Sequence, residues 1–516
     1  MALRIAGARL AARPGWPVVA LAERLADAQR RLDELELAEL GIRASFQVSF
    51  QELAASADPL DRAAAGTFSA LGVLDSPDVD GSVAARLLDQ PQQVAERVLE
   101  RLVDAHLLET PSPGRYRLHD LLRLYTRELA RELYPEHERA VALYRAFGFY
   151  VATAWRTLSL LRPGDYRLAR ADSRWSNGGL EFADDTAALG WLEAERANLL
   201  SAVQQAAATP GVPDALAVQL AQSLFGFFLV HSYWQDWVRV NQTAVLAARR
   251  VSDRAGEAQA HNDLGVAYWR QGRYDQALTC HEQSLAIRRQ LGDAHGQAAS
   301  LGNLGLVHEQ QGRYDQALAC LQESLAIDRE LENRFGQASS LGNLGWVYER
   351  QGRYDRALAC LQESLAIRRE LGDRFGQAAI LNDLGIVYQR QEGFDQALAC
   401  LQESLTIDRE LSDRYAQATS LNDIGIIHQR QGRYDQALAC QQESLTIRRE
   451  LGDPHGQAET LRELGVTLRT LGRPGEAQTH WQQALAIFEQ LQSADADQVR
   501  ALLSAQPTSA MRSTAG

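Results

Sequence analysis

The chain has 516 residues, of which 46% are apolar and 23% are charged, and its formal net charge is −13 at pH 7. A chain of this length needs several domains or an extended array, and its negative charge disfavours nonspecific binding to nucleic acids or anionic membranes. All 53 basic residues are arginine, so the chain cannot supply the lysine of a P-loop or of a Schiff base.

The first 55 residues are predicted to be helical, because Leu21, Leu25 and Leu32 recur at helical spacing. Arginines interrupt the apolar core that a secretory signal would need near the N-terminus. The longest apolar run, at 224–230, is far shorter than the roughly 20 residues that span a bilayer. We therefore expect a cytoplasmic protein without a membrane partner.

Residues 56–134 show a winged-helix pattern, in which helices are followed by two short strands around a turn. The predicted order is helix 62–74, helix 82–88, helix 90–106, strand 107–110, strand 115–118 and helix 121–133. The helix at 90–106 could in principle read DNA, and it carries Arg97 and Arg101. It also carries Glu96, Glu100 and Asp104, whereas a DNA-reading helix usually presents net positive charge to phosphates.

The segment 102–129, LVDAHLLETPSPGRYRLHDLLRLYTREL, resembles the end of the NB-ARC module in STAND regulators, especially the actinobacterial AfsR/SARP-like type. In that family a Met-His-Asp motif closes the winged helix, and its histidine contacts bound ADP. This chain has Leu118, His119 and Asp120 there. The resemblance implies that 1–55 is a remnant of the NB-ARC helical domain and that His119 and Asp120 are vestigial nucleotide-sensing residues. It also implies that the nucleotide-binding core would precede residue 1. We expect no cofactor, and ADP or ATP only if that domain is supplied.

The rest of the chain divides by its repeat pattern. Residues 135–216 are predicted to be a helical linker domain, and 217–256 a degenerate, aromatic-rich capping repeat. Residues 257–492 form six repeats with a period of 40, which the five cysteines mark at one shared position. The polar tail 493–516 is predicted to be disordered. The cysteines are Cys280, Cys320, Cys360, Cys400 and Cys440.

Each repeat is predicted to contain two amphipathic helices. In the unit that begins near residue 297, Leu301 and Leu304 mark the first helix, Gly312 ends it, and Leu321 and Leu325 mark the second. The unit is similar to a tetratricopeptide repeat, with small or aromatic residues where helices cross, at Gly305, Tyr314, Ala317 and Ser324. The resemblance implies an all-α fold with a small β-wing, in which an α-solenoid presents a concave face lined by the first helices.

Mapped onto this geometry, a row of polar side chains, a row of apolar ones and a row of arginines face the groove. The predicted partner-binding residues are Asn262, Asn303, Asn343, Asn382, Asn422, Trp346, Arg270, Arg350, Arg390 and Arg430. Asp383, Asp423, Ile386 and Ile426 fall in the same rows. Asparagine can clamp a peptide backbone, and arginine attracts carboxylates. The alternative is that the asparagines bond neighbouring turns and the arginines are simply solvated.

We expect a noncatalytic sensor module of a STAND-type signalling or transcriptional regulator, with a protein or peptide partner, acidic in character, in the groove. A separate ATPase chain is a further expected partner. No catalytic arrangement and no metal-spaced cluster stands out in the sequence, so we expect neither an enzyme nor a metal site. Two alternatives remain open: an ADP- or ATP-binding NB-ARC regulator whose P-loop domain is encoded upstream, and a winged-helix DNA-binding transcription factor.

Overall fold

The computed structural model describes residues 18–19, 22, 42–162, 167–168, 171–175, 178–231, 233–491, 493 and 495–504. Most of the helical region predicted at 1–55, including Leu25 and Leu32, lies outside these residues. The chain divides into two units, Met1–Gly292 and Asp293–Gly516. Helices dominate both units and the sheet is small, so the predicted all-α solenoid with a β-wing is confirmed.

The first unit begins with a winged-helix region whose elements follow the predicted order. They are α1 Ile42–Ala54, α2 Pro59–Leu71, β1 Val79–Asp80, α3 Gly81–Leu88, α4 Gln92–Asp104, β2 Glu109–Ser112, β3 Arg115–Arg117 and α5 Asp120–Leu133. The antiparallel sheet has the order β1-β3-β2. The sequence did not predict β1, because two residues are too few to show an alternating pattern. Phe68, Leu99 and Leu102 are fully buried and form the centre of this region.

Further helices then lead from the winged helix through the capping region and the first repeat. They are α6 Glu136–Leu161, α7 Asp185–Ala208, α8 Asp214–Ser223, α9 Phe225–His231, α10 Trp234–Arg250, α11 Arg254–Arg270 and α12 Tyr274–Leu291, with a 3₁₀ turn at Ser173–Trp175. Aromatic rings fill the predicted capping region, where Phe228 stacks on Trp237 at a centroid distance of 5.9 Å. In the described residues no single helix is long and apolar enough to cross a membrane, although α8 and α9, bent by 42°, pass that test as a pair.

A buried polar network holds the β-wing against α6 and α7. Arg115 of β3 forms ion pairs with Asp78 and with Glu195, whose carboxylate lies 2.5 Å away and is almost fully buried. Tyr150 donates its hydroxyl to Glu195 at 2.9 Å, and Asn198 donates to the same carboxylate at 2.8 Å. Burial raises the pKa of Tyr150, and the nearby Glu195 adds to that effect. Breaking this network would leave a buried carboxylate without compensation.

The second unit is a stack of helix pairs. Its helices are α13 Ala294–Gln310, α14 Tyr314–Glu330, α15 Arg334–Arg350, α16 Tyr354–Glu370, α17 Arg374–Arg390, α18 Phe394–Glu410, α19 Arg414–Arg430, α20 Tyr434–Glu450, α21 Pro454–Thr470, α22 Pro474–Gln490 and α23 Asp495–Ser504. Three successive repeats each bury an equivalent leucine between their own two helices: Leu321, Leu361 and Leu401. Cys360 and Cys400 pack as half-buried apolar residues against this core.

The turns explain why the helices begin and end where they do. Asp373 caps α17 by accepting a hydrogen bond from the Gly376 amide at 2.9 Å, and its repeat equivalents cap the other first helices. Gly312 ends α13 in the left-handed conformation, with φ of 71°. In the repeat where the glycine is displaced by one residue, Glu392 takes that conformation instead, with φ of 60°.

Salt bridges of one type connect successive second helices on the exposed side of the second unit. Arg329 pairs with Glu363 at 2.9 Å, and Arg369 pairs with Glu403 at 2.6 Å. The same bridge recurs once more, 40 residues later, at 3.2 Å. These inter-repeat clasps are exposed, so each stabilises the stack by less than about 1 kcal/mol.

The tail prediction was wrong for part of its length, because Asp495–Ser504 form helix α23. Ala496 and Val499 are buried in the same apolar cluster as Phe488 of the last repeat. A terminal repeat otherwise exposes the face that the next repeat would cover, and α23 covers it here. Two apolar residues three apart within a polar stretch gave too weak a helical signal in the sequence.

Candidate functional site

The first helices of the second unit lie on the inner side of its helix stack. First helices of neighbouring repeats contact each other directly, as α13 does with α15 and α15 with α17. Among the described residues of this unit, the backbones of neighbouring second helices approach each other less closely, and long exposed side chains bridge them. Elements that approach each other more closely lie on the inside of a curved stack. The groove predicted from the tetratricopeptide resemblance therefore has a structural counterpart here.

Three rows of side chains follow this inner surface, which we call the groove face. On each first helix the members are three and then four residues apart, so they lie on one side of the helix. The floor row contains half-buried polar residues, the apolar row half-buried hydrophobic residues, and the rim row exposed, mostly basic residues. The floor row is Asn303, Asn343, Asp383 and Asp423; the apolar row is Leu306, Trp346, Ile386 and Ile426; the rim row is Gln310, Arg350, Arg390 and Arg430.

The predicted asparagines occupy two different registers. Asn303 and Asn343 belong to the floor row, whereas Asn382 and Asn422 lie one residue earlier on their helices. Asn382 reaches the next first helix, where its Nδ2 lies 3.5 Å from Oδ2 of Asp423. The predicted bond between neighbouring repeats is thus present at this position. Asn422 is 7% exposed, and its Oδ1 has no hydrogen-bond partner in the described structure.

The two aspartates of the floor row have strongly raised pKa values. Desolvation raises the pKa of Asp383 to about 7, with Arg368 opposing and Glu349 reinforcing the shift. Desolvation raises the pKa of Asp423 to about 6, against the hydrogen bond from Asn382. Both side chains are nevertheless half-buried, so solvent reaches them. This combination is expected at the floor of a concave surface, where protein surrounds a group on most sides.

The rim arginines differ in how far their charge is already neutralised. Nε of Arg350 lies 3.5 Å from Glu309, and Nε of Arg390 lies 3.4 Å from Glu349. These two glutamates were not predicted as partners from the sequence, although their positions one repeat earlier could have suggested them. For Arg430, the position of these glutamates is occupied by the uncharged Gln389. Arg430 forms no ion pair within the described residues. Arg430 is therefore the rim arginine with the most available charge.

Asn262 and Arg270 lie in the first unit, on α11. Asn262 is 2% exposed, so it does not present its side chain to a ligand in this conformation. Arg270 is exposed, and its guanidinium lies 5.0 Å from the ring of Trp269 and 5.6 Å from that of Trp234. Both contacts are of the cation–π type.

The floor position of this first repeat already holds a guanidinium group. Asp263 occupies the position that Asn303 has in the next repeat, 40 residues later. Arg167, from the loop after α6, donates to Oδ1 of Asp263 at 2.8 Å, and both side chains are buried. The Arg167 guanidinium also lies 3.5 Å from the ring centroid of Phe225. This pair could not be predicted, because nothing in the sequence relates a loop residue to a repeat position.

The nucleotide-sensing prediction falls on the start of α5. His119 is exposed and is itself the N-cap, with Nδ1 accepting a hydrogen bond from the Leu121 amide at 3.4 Å. Asp120 is the first residue of the helix and is exposed. Its carboxylate would repel a phosphate there, so these two residues do not fit a nucleotide on their own. Their nucleotide-sensing role stays a prediction.

The candidate DNA-reading helix, α4, gains little positive charge from its surroundings. Arg101 forms an ion pair with Asp61 at 2.7 Å, which leaves Arg97 as its exposed arginine. Glu100 accepts a hydrogen bond from the buried Tyr116 at 2.7 Å.

Comparisons with known proteins identify the repeat family and two similar regulators. The tetratricopeptide-repeat family model matches six overlapping stretches, 240–290, 256–330, 296–370, 336–410, 376–450 and 415–490. The regulatory protein AfsR of Streptomyces coelicolor is 44% identical over 213 residues, covering 40% of this chain and 21% of the relative. AfsR of Streptomyces griseus is 39% identical over 285 residues, covering 54% of this chain and 28% of the relative.

A solved structure of a STAND protein with a tetratricopeptide-repeat sensor, from Pyrococcus horikoshii, is also similar, with a TM-score of 0.46 and 13% identity. The match covers 98% of this chain and 75% of that one. This chain spans only about a quarter of the length of the AfsR relatives. The repeat pattern, the stacked helix pairs and the family match agree: the chain is a tetratricopeptide-repeat protein related to the AfsR regulators.

Proposed function

We propose that this protein is a noncatalytic interaction module of an AfsR-like regulator, whose groove face binds an extended segment of a protein partner. The observation that carries the proposal is the set of three parallel rows on α13, α15, α17 and α19. Polar, apolar and basic side chains recur there at fixed spacing, and all of them remain open to solvent on helices whose other sides are buried. A surface of this kind can bind a chain backbone, a hydrophobic side chain and a charged side chain at once.

Within this proposal, each row has a separate role. Asn303 and Asn343 bind the backbone of the segment, since a carboxamide both donates and accepts hydrogen bonds. Trp346 supplies the largest apolar surface of the face, and aromatic residues often dominate the energetics of an interface. Arg430, whose charge is the least neutralised, binds a carboxylate of the partner, so the partner is acidic at the rim. Action on a separate ATPase chain and a cytoplasmic location remain predictions.

A peptide-display selection against the full chain tests the proposal. We expect enriched peptides to lose binding when Arg350, Arg390 and Arg430 are replaced with glutamate, while helicity is retained. The matched control makes the same three changes at Arg329, Arg369 and Arg409, which lie on second helices. Trp346→Ala gives a second, uncharged test of the same face. Peptides that bind all variants equally, or a selection that enriches none, would refute the groove as a binding site.

A further inference from the structure

The first repeat and the later repeats differ in what their floor residues contact. In the first repeat, Asp263 binds Arg167 of the protein's own loop. In the second unit the equivalent aspartates have no such cation: Asp383 makes no hydrogen bond or ion pair in the described residues, and Asp423 receives only the long contact from Asn382. The floor carboxylate is therefore paired with a guanidinium group in the first repeat and lacks a cation in two later repeats.

Asn422 supplies an independent indication of a missing donor. It lies beside Asp423, is nine-tenths buried and has an Oδ1 without a hydrogen-bond partner in the described structure. An unsatisfied buried acceptor is costly and rare in folded proteins. The equivalent asparagine in the preceding repeat, Asn382, extends to Asp423 on the next first helix.

We infer that the floor at Asp383 and Asp423 contains two subsites for basic side chains, best suited to arginine, of the partner segment. A guanidinium has five N–H donors in a planar fork, so an arginine of the partner can donate to the Asp423 carboxylate as Arg167 donates to that of Asp263. The neighbouring apolar residues, Ile386 and Ile426, can cover the aliphatic part of the side chain. The inference deepens the proposed function and rests on it.

The two subsites also constrain the spacing of basic residues in the partner. Neighbouring packed helices lie about 10 Å apart, which sets the approximate separation of equivalent positions in adjacent repeats. A polyproline-type segment advances about 3.1 Å per residue and returns to the same face every third residue. Two arginines three positions apart would therefore meet Asp383 and Asp423 together. An acidic residue farther along the helix direction would meet the rim at Arg430.

The charged groups around each aspartate determine how binding depends on pH. Asp383 is influenced by Arg368 and Glu349, and Asp423 by Arg448, Glu459 and Glu463. Because the raised pKa values leave part of the carboxyl population protonated near neutrality, a cation binds more tightly once both groups are ionised. Affinity for a basic peptide should rise between about pH 5.5 and pH 8, since the peptide's arginines stay charged throughout.

Calorimetric titration of the full chain tests this with a capped heptapeptide that carries arginine at its second and fifth positions and alanine elsewhere. We expect binding at pH 8 that weakens at least about tenfold at pH 5.5 and at least about tenfold in the double variant Asp383→Asn, Asp423→Asn. The control variant Asp355→Asn, Asp395→Asn makes the same changes, 40 residues apart, on exposed positions of second helices. It should change the affinity less than about twofold.

A peptide with glutamine in place of both arginines should not bind. No binding of the arginine peptide, or equal affinity for the chain and the Asp383→Asn, Asp423→Asn variant, would overturn the inference. These results are distinguishable from failure of the proposed function. If the groove binds a partner without basic subsites, display-selected peptides will still depend on Trp346 while ignoring both aspartates. If the groove binds nothing, neither dependence will be seen.

Discussion

A Cβ atom placed on Gly305 would lie 2.6 Å from Cγ of Leu321, so the two helices of this repeat touch where only glycine fits. The same contact recurs 40 residues later between Gly345 and Leu361. By contrast, a Cβ on Gly302, one turn earlier on the same helix, would meet only the Ser324 hydroxyl at 3.8 Å. Close approach at one glycine and free space at another, on one helix, allow a matched comparison.

We predict opposite effects of alanine at these two glycines. Gly302→Ala should stabilise the second unit by about 0.5–1 kcal/mol, because alanine favours the helix and here finds room. Gly305→Ala should destabilise it by about 1–3 kcal/mol, because Leu321 must leave its position. Urea unfolding followed by circular dichroism measures both. Equal signs for the two variants would contradict this account of helix packing.

Truncation of the residue that Gly305 contacts should act locally. Leu321 is fully buried, and we expect Leu321→Ala to cost about 2–5 kcal/mol of unfolding free energy. Since repeats interact mainly with their neighbours, the loss should fray part of the array before the rest unfolds. Hydrogen exchange should show reduced protection in α13, α14 and α15 first. Gln316→Ala, an exposed change on the same helix, is the control. A single melting transition of unchanged width would argue against local fraying.

The floor aspartates should make the stability of the second unit depend on pH. Their folded pKa values, about 7 and about 6, lie above the ordinary value of 3.8, so the folded state binds protons more tightly than the unfolded state. The stabilisation that protonation gives is complete below about pH 4 and is lost as pH rises through 6 to 7.

Replacing both aspartates with asparagine should remove this dependence. We expect the double variant Asp383→Asn, Asp423→Asn to be about 1–3 kcal/mol more stable than the original chain at pH 8, with a much smaller difference at pH 4. Asparagine already occupies the equivalent positions 303 and 343, so the substitution fits the repeat. Chemical denaturation at both pH values gives the comparison. A variant less stable than the original chain at pH 8 would mean that the carboxylates have partners inside the protein.

The buried network at the β-wing should show strong coupling between its members. Arg115→Met leaves the Glu195 carboxylate buried without its cation and should destabilise the first unit by about 3–5 kcal/mol. Adding Glu195→Gln should recover a large part of that loss, since a neutral amide can still accept from Tyr150. Unfolding of the two single variants and the double variant gives the coupling energy. Additive losses would show that Arg115 acts independently of Glu195.

Much of the helix order could be predicted from the sequence, because it rests on local signals. The apolar spacing of residues such as Leu301 and Leu304, the left-handed glycine at 312 and the 40-residue period are all visible in the chain itself. Contacts between distant residues could not be predicted in the same way. The pairing of Arg350 with Glu309 depends on how far one repeat turns relative to the next, and that of Arg167 with Asp263 on the path of a loop.

The groove face, too, could be predicted from local signals only in part. Repeat register was enough to place Trp346 and the rim arginines on one surface, since equivalent residues must face the same way. Register alone could not show that Asn262 is buried, or that Asp383 lacks a cation that Asp263 has. Those differences arise because a loop and a helix outside the repeat array, the loop with Arg167 and α8, contact the first helix of the first repeat. The domain boundaries and the binding roles of the groove residues stay predictions.

The inter-repeat clasps have a consequence for how such an array can change over generations. Because Arg329–Glu363 and Arg369–Glu403 are the same clasp at successive junctions, a recombination event that inserts or deletes one complete 40-residue cassette creates a junction of a kind the protein already has. The number of cassettes can therefore drift without a new interface having to evolve. Each inserted copy would also bring its own floor residue, so the length of the recognised segment and its charge pattern would be inherited together.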